Sequence, residues 1–138
     1  MTIIPSVSVK LEVHQSDIPV KGNAMASGDD KYDRKVENQI LKRLNDGDVS
    51  AWFDCVVTVA IEWEDGTKEY EYEAFDSLGG CSYTSVKEFI DPDGYYGDML
   101  ETAWDTVIYD AGKDLGKDLK CTIVKPDLTK IKPVICYQ

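Results

Sequence analysis

This chain has no apolar run longer than a few residues, so no segment of it reads as a membrane-spanning helix. Its first residues, Met1-Thr2-Ile3-Ile4-Pro5, carry neither the basic cluster nor the apolar stretch of a secretory signal. It has one histidine, His14, and its four cysteines (Cys55, Cys81, Cys121 and Cys136) contain no C-x-x-C pair. A tetrahedral zinc site would lack both of its usual ligand knuckles, and free thiols in a reducing compartment are expected. The nucleotide-cradling patterns G-x-x-x-x-G-K-[ST] and G-x-G-x-x-G are missing, as are H-E-x-x-H and G-x-S-x-G. No cofactor and no metal are therefore expected. Bases are also scarce: 15 lysines and arginines face 26 acids, for a formal charge of −11 and a pI near 4.4. Direct binding to nucleic acid or to an anionic membrane is disfavoured, because both depend on lysine and arginine neutralising phosphates.

What remains is ample material for a core. The 138 residues are 43% hydrophobic, and that length reads as a single domain over residues 1–138. Val7, Val9, Leu11 and Val13 alternate with polar residues, which predicts a half-buried strand over 6–15. Residues 16–28 show no period and read as a mobile loop. Tyr32, Val36, Ile40 and Leu44 step by four with Leu41 beside them, predicting a helix over 29–45. Its bases, Arg43 among them, read as solvent-facing. Tyr96, Met99, Leu100, Ala103, Trp104, Val107, Ile108 and Ala111 predict a second helix over 95–111, with Asp93 as its cap. Capping-box spacing at Ser85–Glu88 predicts a short helical turn before it. Two closing strands are read around 119–124 and 131–137, the latter held to an edge by Pro133. The sum is an α+β domain: an antiparallel sheet of four to five strands with both amphipathic helices packed on one face.

The most specific passage is residues 51–75. Ala51, Phe53, Cys55, Val57, Val59, Ile61 and Trp63 occupy one face of a strand that ends at the turn signal Asp65-Gly66. With those two residues at the centre of the turn, Ile61 faces Tyr70, Val59 faces Tyr72, Val57 faces Ala74, and Glu62 faces Glu69. The apolar faces of the two strands then coincide, and Glu62, Glu64, Glu69, Glu71 and Glu73 are left on the wet side.

Those glutamates belong to a concentrated acidic block. Residues 60–114 hold fifteen acids and three bases (Lys68, Lys87 and Lys113). Same-face residues of a strand lie about 6.8 Å apart, within about an ångström of the spacing of successive phosphates along a nucleic-acid strand. Such a row suits a basic surface built for a nucleic-acid backbone, whereas an ordinary solvated face intersperses both signs. Glu62, Glu69, Glu71 and Glu73, with Asp98, Glu101 and Asp105 on the second helix, are the candidate partner-binding residues. Trp52, read on the outer face with Val56 and Ala60, is a candidate contact residue unless the N-terminal segment covers it. Two alternatives compete. One is a cysteine-dependent enzyme using Cys81 in its Gly-Gly-Cys-Ser-Tyr loop, with His14 as base. The other is an assembly protein or homodimer with Trp52 in a subunit interface. Asp91-Pro92-Asp93-Gly94 fails as a calcium loop, because its glycine comes early and its third acid is missing.

Three stretches, Gly47–Trp52, Ser77–Tyr83 and Gly94–Met99, resemble a pattern found in small acidic proteins of bacteriophages and prophages, over roughly residues 30–111. The resemblance implies an accessory product acting in the bacterial cytoplasm. Such proteins include inhibitors of host defence, among them anti-restriction and anti-CRISPR proteins, some of which imitate DNA. On this reading the chain is a non-enzymatic inhibitor that occupies a basic groove of a nucleic-acid-handling protein.

Overall fold

The computed structural model describes residues 2–138. Its elements in chain order are β1 (Ser6–Gln15), α1 (Asp30–Asn45), a 3₁₀ turn (Val49–Ala51), β2 (Phe53–Asp65), β3 (Lys68–Cys81), α2 (Val86–Phe89), α3 (Tyr95–Leu115), a second 3₁₀ turn (Leu128–Lys130) and β4 (Val134–Tyr137). The class is α+β. The four strands form one sheet in the order β3-β2-β1-β4, and it is mixed: β1 pairs antiparallel with β2 but parallel with β4. The purely antiparallel sheet read from the sequence is thus corrected. The chain returns from α3 to the free side of β1 through a long irregular connection rather than a hairpin, so the last strand enters parallel. The strand expected at 119–124 is reduced to a single parallel bridge between Ile3 and Ile123.

Alternation along β1 and β2 builds one dry face, where Val9, Leu11, Val13, Phe53, Cys55, Val57, Val59 and Ile61 are all buried. α3 lies on that face, and all eight residues of its expected apolar stripe are buried against it. The helix starts where expected but runs a turn beyond Ala111, to Leu115, and is capped by Gly116 in the left-handed region. Asp93 does not cap it; the cap position is Gly94, with no side-chain bond.

α1 does not join α3. It packs at the end of the sheet in a second, smaller cluster, where Ile40 meets Val20, Ala51 and Trp52. Its stripe is too narrow to cover a sheet, since Tyr32 and Leu41 remain exposed. Polar bonds do the fastening. The Arg43 guanidinium donates to Asp48 (2.9 Å from Nε), to Ser50 Oγ and to the Tyr83 carbonyl (2.6 Å), which ties α1 to the loop after β3. Arg43 is therefore a bridge, not one more solvated base. The 16–28 segment is likewise tied down: the buried Glu37 carboxylate accepts the Gly22 N–H at 2.7 Å, and the Ile18 carbonyl accepts the Trp52 indole N–H at 2.7 Å.

Candidate protein-binding surface

The β2–β3 hairpin turns through Gly66 and Thr67, with Asp65 opposite Lys68. Gly66 has a φ of +65°, and among the described residues no non-glycine residue has a positive φ. A turn with glycine at its first central position needs a positive φ only there, whereas centring on Asp65-Gly66 would force the aspartate into that region as well. The register is therefore two residues away from the expected one. Ile61 faces Tyr72, Val59 faces Ala74, Glu62 faces Glu71, and Glu64 faces Glu69. A two-residue shift preserves which face each side chain occupies, so the wet carboxylates stay wet. The shift also sets Trp63 opposite Tyr70 rather than Lys68. Trp63 stacks on Tyr70 at 5.1 Å between centroids and on Tyr72 at 5.8 Å, an aromatic clasp on the dry side that the other register forgoes.

The turn dictates how close the carboxylates come. Asp65 and Lys68 flank a two-residue loop and so exchange both ladder hydrogen bonds. Alternation then places Glu64–Glu69 and Glu62–Glu71 at non-hydrogen-bonded positions, where Cα atoms approach to about 4.5 Å and side chains are nearest. Glu62, Glu64, Glu69, Glu71 and Glu73 are all exposed. The ion pairs among the described residues are Lys10–Glu12, His14–Asp54, Arg43–Asp48 and Lys125–Glu101, so none of the hairpin glutamates has a counter-ion. Lys10, on the same sheet face, is paired with Glu12, whose hydrogen bond and charge raise its pKa, with a smaller contribution from Glu73. Lys117 lines the groove that Glu62, Glu64, Glu69 and Glu71 share. The surface is a double row of carboxylates on a twisted ribbon.

The other candidates do not join that surface. Asp98, Glu101 and Asp105 are exposed on α3, and α3 lies on the dry face, so its outward side points away from the glutamate rows. Glu101 is paired with Lys125. Exposure was readable from the helical period, but the side of the sheet was not. Trp52 is 4% exposed, covered by the 16–28 segment and α1, which leaves no apolar contact patch there. At the top of the sheet β3 carries a bulge, with Gly79 and Gly80 opposite Asp54. Gly80 has a φ of +66°, and a Cβ there would sit 3.1 Å from the Trp52 ring, so the Gly-Gly pair serves the fold.

Cys81 and His14 do not meet. Cys81 is buried on the dry side beside Cys55, whose thiol is pushed well up by its hydrogen bond with Cys81 and by burial. His14 lies on the outer face, 3.6 Å from Asp54. Among the described residues no group of three or more His, Cys, Asp or Glu is placed to hold a metal ion, and no helix is long and apolar enough to cross a membrane.

Residues missed in the sequence are mainly tethers: Arg43, Glu37 and Tyr72, whose hydroxyl donates to Asp114 at 2.6 Å. No family model matches this chain, and no curated protein or solved structure matches it either.

Proposed function

We propose that this chain is a non-enzymatic binding protein of the phage-inhibitor kind, whose hairpin carboxylates stand in for a nucleic-acid backbone. They would occupy a basic groove of a nucleic-acid-handling protein in a bacterial cytoplasm. The observation that supports this reading is the pairing of like charges. Glu62–Glu71 and Glu64–Glu69 face each other at the closest kind of sheet position, and none of the four makes an ion pair, although Lys117 lines the same groove. Each such pair costs up to about 1 kcal/mol relative to a neutral pair, and solubility alone does not require it. The strands that carry the carboxylates are held in register by the Trp63–Tyr70–Tyr72 clasp, so binding has side chains but no backbone to order. Electrostatic attraction of this kind speeds association and weakens steeply with salt.

The test is capture from bacterial lysate on the immobilised chain at low and at high salt, with the retained proteins identified. Retention of a basic nucleic-acid-binding protein at low salt, and its displacement both by salt and by added DNA, is the expected result. If no basic protein is retained, or DNA fails to compete, the reading is rejected.

A further inference from the structure

A second surface has the opposite character. After α3 the chain turns back at Gly116 and lies along the helix, anchored where the Ile3 N–H donates to the Thr122 carbonyl and the Val124 N–H to the Ile3 carbonyl. The return is tight because Gly112 has no side chain: a Cβ there would fall 2.7 Å from the Lys117 carbonyl oxygen. Between helix and returning segment runs a groove of about 770 Å³, with Trp104, Ile108, Leu119 and Ile123 along its floor. That volume is within the roughly 300–1,000 Å³ of small-molecule sites. Its rim carries Lys113, Lys117, Lys120 and Lys125 against Asp105 and Asp118. Lys125 is engaged by Glu101, but Lys113, Lys117 and Lys120 have no ion-pair partner among the described residues.

Three unpaired ammonium groups around an apolar floor stand out in a chain of net charge −11. They are too few for a nucleic acid, whose affinity scales with the number of phosphates neutralised. An extended acidic partner would be repelled by the rest of the surface. A compact ligand with one anionic head and an apolar body gains from both the lysines and the floor. We propose that this groove binds an apolar carboxylate, with its alkyl or aryl body on Trp104, Ile108 and Ile123 and its head among Lys113, Lys117 and Lys120.

The experiment is a titration of the full chain with decanoate below its micelle concentration, followed by amide and indole NMR shifts. Decanol and decyltrimethylammonium serve as comparison ligands. Saturable shifts confined to the last turns of α3, residues 116–125 and the Trp104 indole are expected with decanoate. Decanol and the cationic amphiphile should bind about tenfold more weakly, since each exposed lysine contributes up to about fivefold and more than one faces the head. The double change Lys117→Glu with Lys120→Glu, at exposed positions that leave the floor intact, should weaken decanoate by about tenfold or more and leave decanol unchanged. Equal affinity for decanoate and decanol would overturn the proposal. So would indifference to the lysine changes, non-saturable shifts, or shifts centred elsewhere, such as around the exposed Phe75 on the open sheet face.

Discussion

The hairpin and the outer side of α3 both look like acidic surface in the sequence, yet they are electrostatically different objects. On the hairpin, five glutamates are held in rows by strand geometry and none of them makes an ion pair, although Lys10 lies near Glu73 and Lys117 lines the groove. On α3, Glu101 is answered by Lys125, and Asp105 shares a groove rim with Lys113, Lys117 and Lys120. A charge tally over residues 60–114 merges the two, because the bases come from the chain that follows, and folding forms an ion pair from them, Lys125 with Glu101, on the α3 side alone. What distinguishes a binding surface from a solvated one here is therefore the absence of ion pairs, not the number of acids.

That contrast can be broken first at its mechanical root. Trp63→Ala removes the ring that stacks on Tyr70 and Tyr72 and pins the register. It should cost about 3 kcal/mol in urea unfolding, and more than Tyr70→Ala, which leaves the Trp63–Tyr72 stack in place. A loss below about 1 kcal/mol would mean the clasp does not hold the hairpin. A sharper test uses the sign of charge changes. Glu71→Lys turns a repulsive pair with Glu62 into an attractive one and should raise stability by about 1 kcal/mol. Glu101→Lys breaks the pair with Lys125 and should lower stability by about 0.5 kcal/mol. Both shifts should shrink in high salt, and equal signs would erase the distinction between the surfaces.

The smallest effect concerns the link between the two regions. Desolvation, then the hydrogen bond to Asp114, raises the Tyr72 hydroxyl to about 12 from an ordinary 10.0. The folded value lies above the unfolded one, so the protonated hydroxyl stabilises the fold. That contribution is complete below about pH 10 and is lost as pH rises through about 12. Chemical denaturation between pH 8 and pH 12 should show a decline that is shallower in Tyr72→Phe, the remainder coming from the half-buried Tyr83 and the buried Tyr96, whose hydroxyls are also raised; identical profiles would remove Tyr72 from the account.

Much of this was legible before any coordinates. Strict alternation in β1 and β2 and the eight-residue stripe of α3 announce their dry faces directly, because burial on one face leaves a period in the sequence. The hairpin was legible in kind but not in register. Asp65-Gly66 is a strong turn signal, yet only the φ requirement of Gly66 and the Trp63 stacking choose between turn centres one residue, and registers two residues, apart. Long-range placement was not legible at all. Nothing local distinguishes Arg43 from the other bases of α1, or tells that β4 will enter parallel to β1. For the candidate site, parity gave the glutamates of β2 and β3. The sheet's two-sidedness separated Asp98, Glu101 and Asp105 from them, and Trp52 went under its own N-terminal segment.

The central claim is that the unpaired hairpin rows, and not the acidity of the chain as a whole, carry recognition. It is tested most directly by paired charge reversals of equal size, Glu69→Lys with Glu71→Lys against Glu101→Lys with Asp105→Lys, in the low-salt capture from bacterial lysate. The two variants have the same net charge. The account predicts that the hairpin variant loses the basic partner while the α3 variant retains it at close to the unmodified level; equal loss in both, or loss from the α3 variant alone, would contradict it.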